Sequence, residues 1–202
     1  MINRRRHRPI DSDSHSATYR TEVRPTGRRR IGVSGPHGTG KTTLVEELCN
    51  RFPNYTPVDE PYVLLEDDGH EFGYPPSVDD YRLQLRRSLV TLRTAAPGAV
   101  FDRTPLDFLA YLTVCGVDAE SEVDADELRA AMSLLDLLIV VPVTAETGRQ
   151  LPAVEMTELQ RAVDAALLDL VHADPLDVCG HLRVVELTGP LTTRIESVVT
   201  AL

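Results

Sequence analysis

The sequence predicts an α/β fold: a mostly parallel sheet with helices packed on both faces. Three observations lead there. Short apolar runs alternate with stretches of helical period along residues 29–202, which implies right-handed β-α-β crossovers. Leu137–Val141 is continuously apolar, the pattern of a strand covered on both sides. The first apolar run leads through a glycine-rich turn directly into a helix.

The elements follow in order. Ile31-Gly32-Val33 reads as the first strand. Thr42–Arg51 carries Leu44, Val45 and Leu48 at helical spacing. A second strand is expected near Tyr55–Val58, bracketed by Pro53 and Pro57. Ser77–Ala95 opens with a serine cap and Asp79 and Asp80 in its first turn, and Tyr81, Leu85, Leu89 and Leu92 mark its buried face. Pro97-Gly98 stops it, and Ala99-Val100-Phe101 forms a buried strand ending at Asp102. Helices are expected over Pro105–Cys115 and Asp124–Leu135, then the strand Leu137–Val141, the long amphipathic helix Met156–Ala173, the strand Arg183–Leu187 and a last helix over Leu191–Leu202. There is no internal repeat and no sign of a second domain.

Charge divides the chain of 202 residues. Residues 1–30 hold nine Arg against three carboxylates, a net of +6; residues 31–202 hold 12 fixed cations against 28 carboxylates, a net of −16. With almost no apolar side chain, residues 1–28 read as a disordered basic tail, either a solvated arm or one that meets an anionic partner. No apolar segment follows its arginines, so a secretory signal is not expected. The acidic body argues against broad binding of nucleic acid, which needs clustered cations. Leu134–Val143, the longest apolar run, is broken by Asp136 and Pro142 and is too short for a membrane span. Cys49, Cys115 and Cys179 are odd in number and far apart, which suits reduced thiols in a cytoplasmic protein. Six scattered histidines lack the spacing of a zinc site.

The chemistry concentrates in Gly35-Pro36-His37-Gly38-Thr39-Gly40-Lys41-Thr42, a complete G-x-x-x-x-G-K-[ST] match between a strand and a helix. Its glycines let backbone N–H groups converge on phosphate oxygens, and the helix that follows adds its positive N-terminal end. Lys41 is expected to reach the β and γ phosphates of ATP, and Thr42 to ligate Mg²⁺; Thr43 follows on the same first turn. Lys41 is also the only lysine in the chain. Arginine supplies every other fixed positive charge, and the compact ammonium appears only where a P-loop needs one.

Together with Phe101-Asp102-Arg103-Thr104-Pro105-Leu106-Asp107-Phe108-Leu109-Ala110-Tyr111, this P-loop resembles the small P-loop kinases, in particular the AAA-type ATPase and kinase domains related to nucleoside, nicotinamide riboside and nucleotide kinases. The resemblance runs from about Arg29 to the C-terminus. It implies a three-layer P-loop kinase-like domain over residues 29–202, with a five-stranded parallel sheet in the order 2-3-1-4-5. It also implies phosphoryl transfer from ATP to a hydroxyl or phosphate of a small, nucleoside- or nucleotide-like acceptor. Asp102 would then hold Mg²⁺ with Thr42, and Arg103 would face acceptor or phosphates. Glu60, in Val58-Asp59-Glu60-Pro61, would accept the proton of the attacking hydroxyl, with adjacent Asp59 as the other register. Arg149 is the one cation of the expected lid, Thr144–Glu155, and so small a lid charge suits an acceptor without its own phosphate or a protein of weak turnover. Arg194, after Leu187-Thr188-Gly189-Pro190, would flank the adenine or simply belong to a capped turn. His37 occupies a variable P-loop position. Asp107 and Tyr111 would face the acceptor or pack in the core, and the loop Glu66–Tyr74 would cover the acceptor or form an acidic surface excursion.

A second reading competes: a nucleotide-gated regulator whose slow ATP hydrolysis drives a conformational switch. A GTPase is excluded by the missing [NT]-K-x-D, since no second lysine exists. ABC and helicase readings lack their signature or second motor domain, and AAA+ unfoldase rings need a helical lid domain and more residues. The sequence is compatible with a homo-oligomer.

Overall fold

A computed structural model describes residues 28–145 and 154–202. Five strands, β1 (Ile31–Ser34), β2 (Thr56–Val58), β3 (Ala99–Asp102), β4 (Leu137–Val140) and β5 (Arg183–Glu186), form one sheet in the order β2-β3-β1-β4-β5. Every pairing is parallel: Val33 lies opposite Asp102 and Ile139, and Val58 opposite Phe101. The expected order and the helical layers on both faces are those of a P-loop NTPase kinase fold.

Side chains alternate across the pleat. Ala99, Phe101, Leu138 and Val140 enter a core with α3 (Val78–Thr94), α4 (Pro105–Val114), α5 (Ala125–Met132) and α6 (Val154–His172). Ile31, Val33, Val100, Leu137, Ile139 and Val141 enter a second core with α1 (Lys41–Arg51) and α7 (Leu191–Ala201). The central strands β1, β3 and β4 are buried throughout, whereas β5 is exposed at both ends, as an edge strand can be. Tyr81, Leu85, Leu89 and Leu92 all bury on the predicted face of α3, and Ser77 with Asp80 closes a capping box at its start.

Differences from the sequence reading are few. The expected helix over Asp124–Leu135 shortens to α5, because Asp124 is the cap, accepting from the Glu127 N–H, and the last residues turn toward β4. Helix α2 (Pro61–Asp67) was not anticipated; its seven residues are too few for a helical period to stand out. Proline occupies its first position, Leu65 is buried, and the helix packs beside α3. The basic tail falls outside the described residues apart from Arg28. Among the described residues no helix is long and apolar enough to cross a membrane.

Candidate active site

The C-terminal ends of β1, β2 and β3 point to one edge of the sheet, where open α/β folds bind ligands. β1 runs into the P-loop there. Gly35 adopts φ +153°, and a Cβ on it would lie 2.4 Å from the Val141 carbonyl oxygen. Gly40 caps α1 in the left-handed region at φ +84°. Any other residue at either place would be strained. Lys41 starts α1, and its ammonium lies buried, donating to the Pro36 carbonyl at 2.8 Å; the Thr39 hydroxyl donates to the same oxygen at 3.0 Å. Burial, reinforced by the nearby Arg103 charge, lowers the Lys41 pKa to about 8.

Two adjoining cavities open at this edge. The first, about 340 Å³, is lined by His37, Gly38, Gly40, Lys41, Thr42, Thr43, Glu60 and Arg103. Gly35, Pro36 and Thr39 are buried beneath it rather than lining it. The Gly35 N–H corrects a sequence expectation: it donates to Asp107 at 2.9 Å instead of facing the cavity. Thr42 donates its hydroxyl hydrogen to Asp102 Oδ2 at 2.5 Å, while Oδ1 of the same carboxylate is buried without a hydrogen-bond partner. Burial pushes the Asp102 carboxyl upward, against the opposing pull of Lys41 and the Thr42 hydroxyl.

The second cavity, about 200 Å³, is mostly aromatic. Tyr62 of α2, Tyr81 of α3 and Phe108 and Tyr111 of α4 line it, with Tyr74, Pro75 and Pro76 from the loop before α3 and Gln84 and Leu159. Of the polar loop Glu66–Tyr74, expected either to cover an acceptor or to be a surface excursion, only the largely exposed Tyr74 borders the cavity, while His70 turns back to Asp80 at 3.1 Å. His37, Glu60 and Arg103 line both cavities and form the seam between them.

At the seam Arg103 takes φ +80°, its N–H donating to the Val33 carbonyl at 2.9 Å. That backbone places its guanidinium against Glu60 Oε2 at 2.7 Å, the Gly35 carbonyl at 3.2 Å and Asp107 at 3.5 Å, over the Tyr111 ring. Glu60 stands at the N-cap position of α2 and reaches the seam, whereas Asp59 is exposed and lines neither cavity. Tyr111 stacks on Tyr81 at 4.8 Å, and its hydroxyl accepts from the His37 N–H at 3.2 Å and meets His37 Nδ1 at 3.1 Å. Gln160 of α6 clamps the same residue, donating to the His37 carbonyl at 2.7 Å.

The Arg194 guanidinium is buried beneath the P-loop, donating to the Thr39 and Gly189 carbonyls, each at 2.8 Å. Its position supports the loop rather than opening onto the cavity. Arg149 falls outside the described residues.

Asp107 lines neither cavity. Its carboxylate is 1% exposed and accepts from the Gly35 and Thr104 N–H groups at 2.9 and 2.8 Å, binding the P-loop to α4. Thr104 and Asp107 also close a capping box at the start of α4, and the bond to the P-loop, 72 residues away, was not legible in the sequence. Gln160 carried no sequence signal. Asp107→Ala should destabilise the fold by about 3–5 kcal/mol, because it strands two buried N–H groups and removes a counter-charge from Arg103. Urea unfolding measures this, and a loss under about 1 kcal/mol would mean the anchor is dispensable.

The fold and the glycine-rich loop define a P-loop nucleotide-binding α/β protein. The AAA domain family matches residues 30–194, and the chain belongs to that family. No curated protein matches the sequence. Among solved structures, the NadR protein in complex with NAD and AMP-PNP superposes with a TM-score of 0.59 at 23% identity, over 86% of this chain and 48% of that one. The chain therefore spans about half the length of that relative. Deoxyadenosine kinase from M. mycoides gives 0.59 at 16% identity, over 85% of this chain and 97% of the other. Thymidylate kinase from Candida albicans gives 0.57 at 13% identity, over 87% and 91%.

Proposed function

We propose that residues 29–202 act as one ATP-dependent kinase domain that transfers the γ-phosphoryl group to a small-molecule acceptor. The observation that carries this reading is the seam: a phosphate-sized cavity and an aromatic cavity adjoin, with Glu60 and Arg103 on their shared border. A second cavity beside the first gives an acceptor somewhere to bind. Deoxyadenosine kinase and thymidylate kinase, each matched over more than nine-tenths of its own length, are kinases, which supports the reading from the side of the fold.

In this reading the P-loop amides and Lys41 bind the phosphates, and desolvation strengthens the field of the ammonium there. Thr42 and Asp102 suit Mg²⁺, since both offer oxygen, and the buried Asp102 Oδ1 lacks any other partner. Among the described residues no group of three or more His, Cys, Asp or Glu could hold a metal ion, so in this reading the phosphate oxygens would supply further ligands. Bound Mg²⁺ would neutralise charge building on the phosphates. Glu60 accepts the acceptor hydroxyl's proton on Oε1, which no described residue engages, while Arg103 holds Oε2 and so fixes the carboxylate's direction. Gln160 and Tyr111 pin His37 and keep the P-loop in register with the acceptor wall.

ATP consumption with and without a panel of nucleosides, nucleotides, vitamins and sugar alcohols tests the proposal. Acceptor-stimulated turnover with a phosphorylated product is the expected result. Slow hydrolysis unmoved by every acceptor would replace the kinase with the nucleotide-gated regulator.

A further inference from the structure

Two P-loop peptides are held from behind by side chains that come late in the sequence. Gln160 of α6 donates from Nε2 to the His37 carbonyl at 2.7 Å, and Arg194 of α7 donates to the Thr39 carbonyl at 2.8 Å. A trans peptide is planar, so its N–H points opposite to its carbonyl. Fixing the His37 carbonyl therefore fixes the direction of the Gly38 N–H, and fixing the Thr39 carbonyl fixes that of Gly40. Both glycines have positive φ, +74° and +84°, and both line the phosphate-sized cavity. Among the described residues neither N–H has a hydrogen-bond partner. The His37 and Gly35 N–H groups differ: Tyr111 and Asp107 take them at 3.2 and 2.9 Å.

Packing does not account for an amide at position 160. Gln160 is 0% exposed, and its Oε1 is buried without a hydrogen-bond partner. A methionine would fill similar space and leave no polar atom unmatched, whereas an unmatched buried acceptor opposes folding. Among the described residues the side chain makes one hydrogen bond, and it goes to the P-loop.

We propose that Gln160 is a positioning residue for phosphate binding: by holding the His37 carbonyl back it aims the Gly38 N–H into the cavity before any ligand enters, and Arg194, through Thr39, does the same for Gly40. Donors fixed in this way form a concave anion site that needs no reorganisation when charge arrives. The proposal rests on the reading that this cavity takes phosphate, and does not require transfer to an acceptor.

Calorimetric titration of the full chain with Mg²⁺ tests it, using pyrophosphate, ADP and a non-hydrolysable ATP analogue as probes. Gln160→Met keeps the length of the side chain and removes the donor. It should weaken all three probes by about tenfold or more, the worth of one hydrogen bond to a charged group. The melting temperature of the ligand-free variant should equal or exceed that of the parent, because the orphaned Oε1 is gone. Solvent exchange followed by NMR reads the amides one by one. In the unaltered, ligand-free chain the Gly38 and Gly40 N–H groups should exchange openly and the Gln160 side-chain amide should be protected. The ATP analogue should then protect both glycines. In Gln160→Met that protection should fall at Gly38 and persist at Gly40; in Arg194→Met the pattern should reverse. Unchanged affinity in a folded Gln160→Met variant would overturn the proposal, as would a loss of affinity with Gly38 still protected by the ligand. If a variant does not fold, exchange in the unaltered chain decides. Gly38 protected without ligand, or still open with the analogue bound, would overturn the assignment. Binding of none of the three probes by the unaltered chain would refute the phosphate cavity itself, and the proposal with it; intact binding that ignores Gln160 would refute the proposal alone.

Discussion

Lys41→Met should abolish ATP turnover and, at pH 7, raise the thermal stability of the ligand-free protein. Both effects come from one buried ammonium. Burial and Arg103 lower its pKa from 10.5 to about 8, so the empty fold holds this charge at a cost. The shift corresponds to about 3 kcal/mol, reduced to about 1–3 kcal/mol in the variant because Asp107, Asp102 and Glu60 lose a compensating charge. Met keeps the length of the stem, and Thr39 still satisfies the Pro36 carbonyl. The pH dependence follows from the sign of the shift. Below pH 8 the lysine is protonated in both folded and unfolded chains, and its full penalty is present. Between about 8 and 10.5 only the unfolded chain binds the proton, so stability rises with pH. Above 10.5 both forms are neutral and the penalty is gone, and so is the advantage of Met. Turnover should fall at least ~10²–10³-fold, the usual consequence of removing a preorganised donor from where charge develops. Melting curves at pH 7 and 10, with turnover assays at pH 7, check the pair. A variant less stable at every pH, or one that keeps near-normal turnover, would contradict the role given to Lys41.

The second large effect concerns Glu60. Glu60→Gln should lower acceptor phosphorylation by ~10²–10⁴-fold, the range contributed by a positioned general base, while the affinity for ATP stays as in the parent. The amide keeps the shape of the side chain and can still accept a hydrogen bond from Arg103, but it cannot take a proton. Arg103 keeps its bonds to Gly35 and Asp107, so the P-loop should not shift. Asp59→Asn is the control: Asp59 is exposed, lines neither cavity, and its replacement should leave phosphorylation unaltered. Asp102→Asn should instead depress basal ATP hydrolysis and acceptor phosphorylation together, because it weakens the site that Thr42 and Asp102 would offer a metal. Initial rates against ATP and acceptor concentration separate these cases. If Glu60→Gln phosphorylates its acceptor normally, the carboxylate serves only to hold Arg103.

Residues 29–202 carried most of the architecture in local form. Alternating apolar runs and helical periods, the Ser77 cap and the stop at Pro97-Gly98 each act within a few residues, and the strands and six of the seven α-helices among the described residues follow from them. The P-loop was legible for the same reason: its glycine conformations and the helix behind it are specified by eight consecutive residues. Helix α2 escaped because seven residues give too little periodicity, and because its packing beside α3 is a tertiary contact.

The site's second half was decided only by the tertiary structure. Nothing near Arg103 in sequence says that it will pair with Glu60, 43 residues earlier, or that Asp107 will bind the first P-loop glycine. Arg194 could have turned toward the cavity, but its guanidinium instead satisfies the Thr39 carbonyl 155 residues away. Gln160 reaches His37 across 123 residues. Each is a choice among partners that a polar side chain could equally well bond. Once the sheet forms and water is excluded, an unmatched buried charge or carbonyl costs several times what a satisfied one gains. Local pattern determines which elements form, since backbone sterics and apolar period act at short range. Which polar groups meet is determined by desolvation, and desolvation exists only after distant elements have packed.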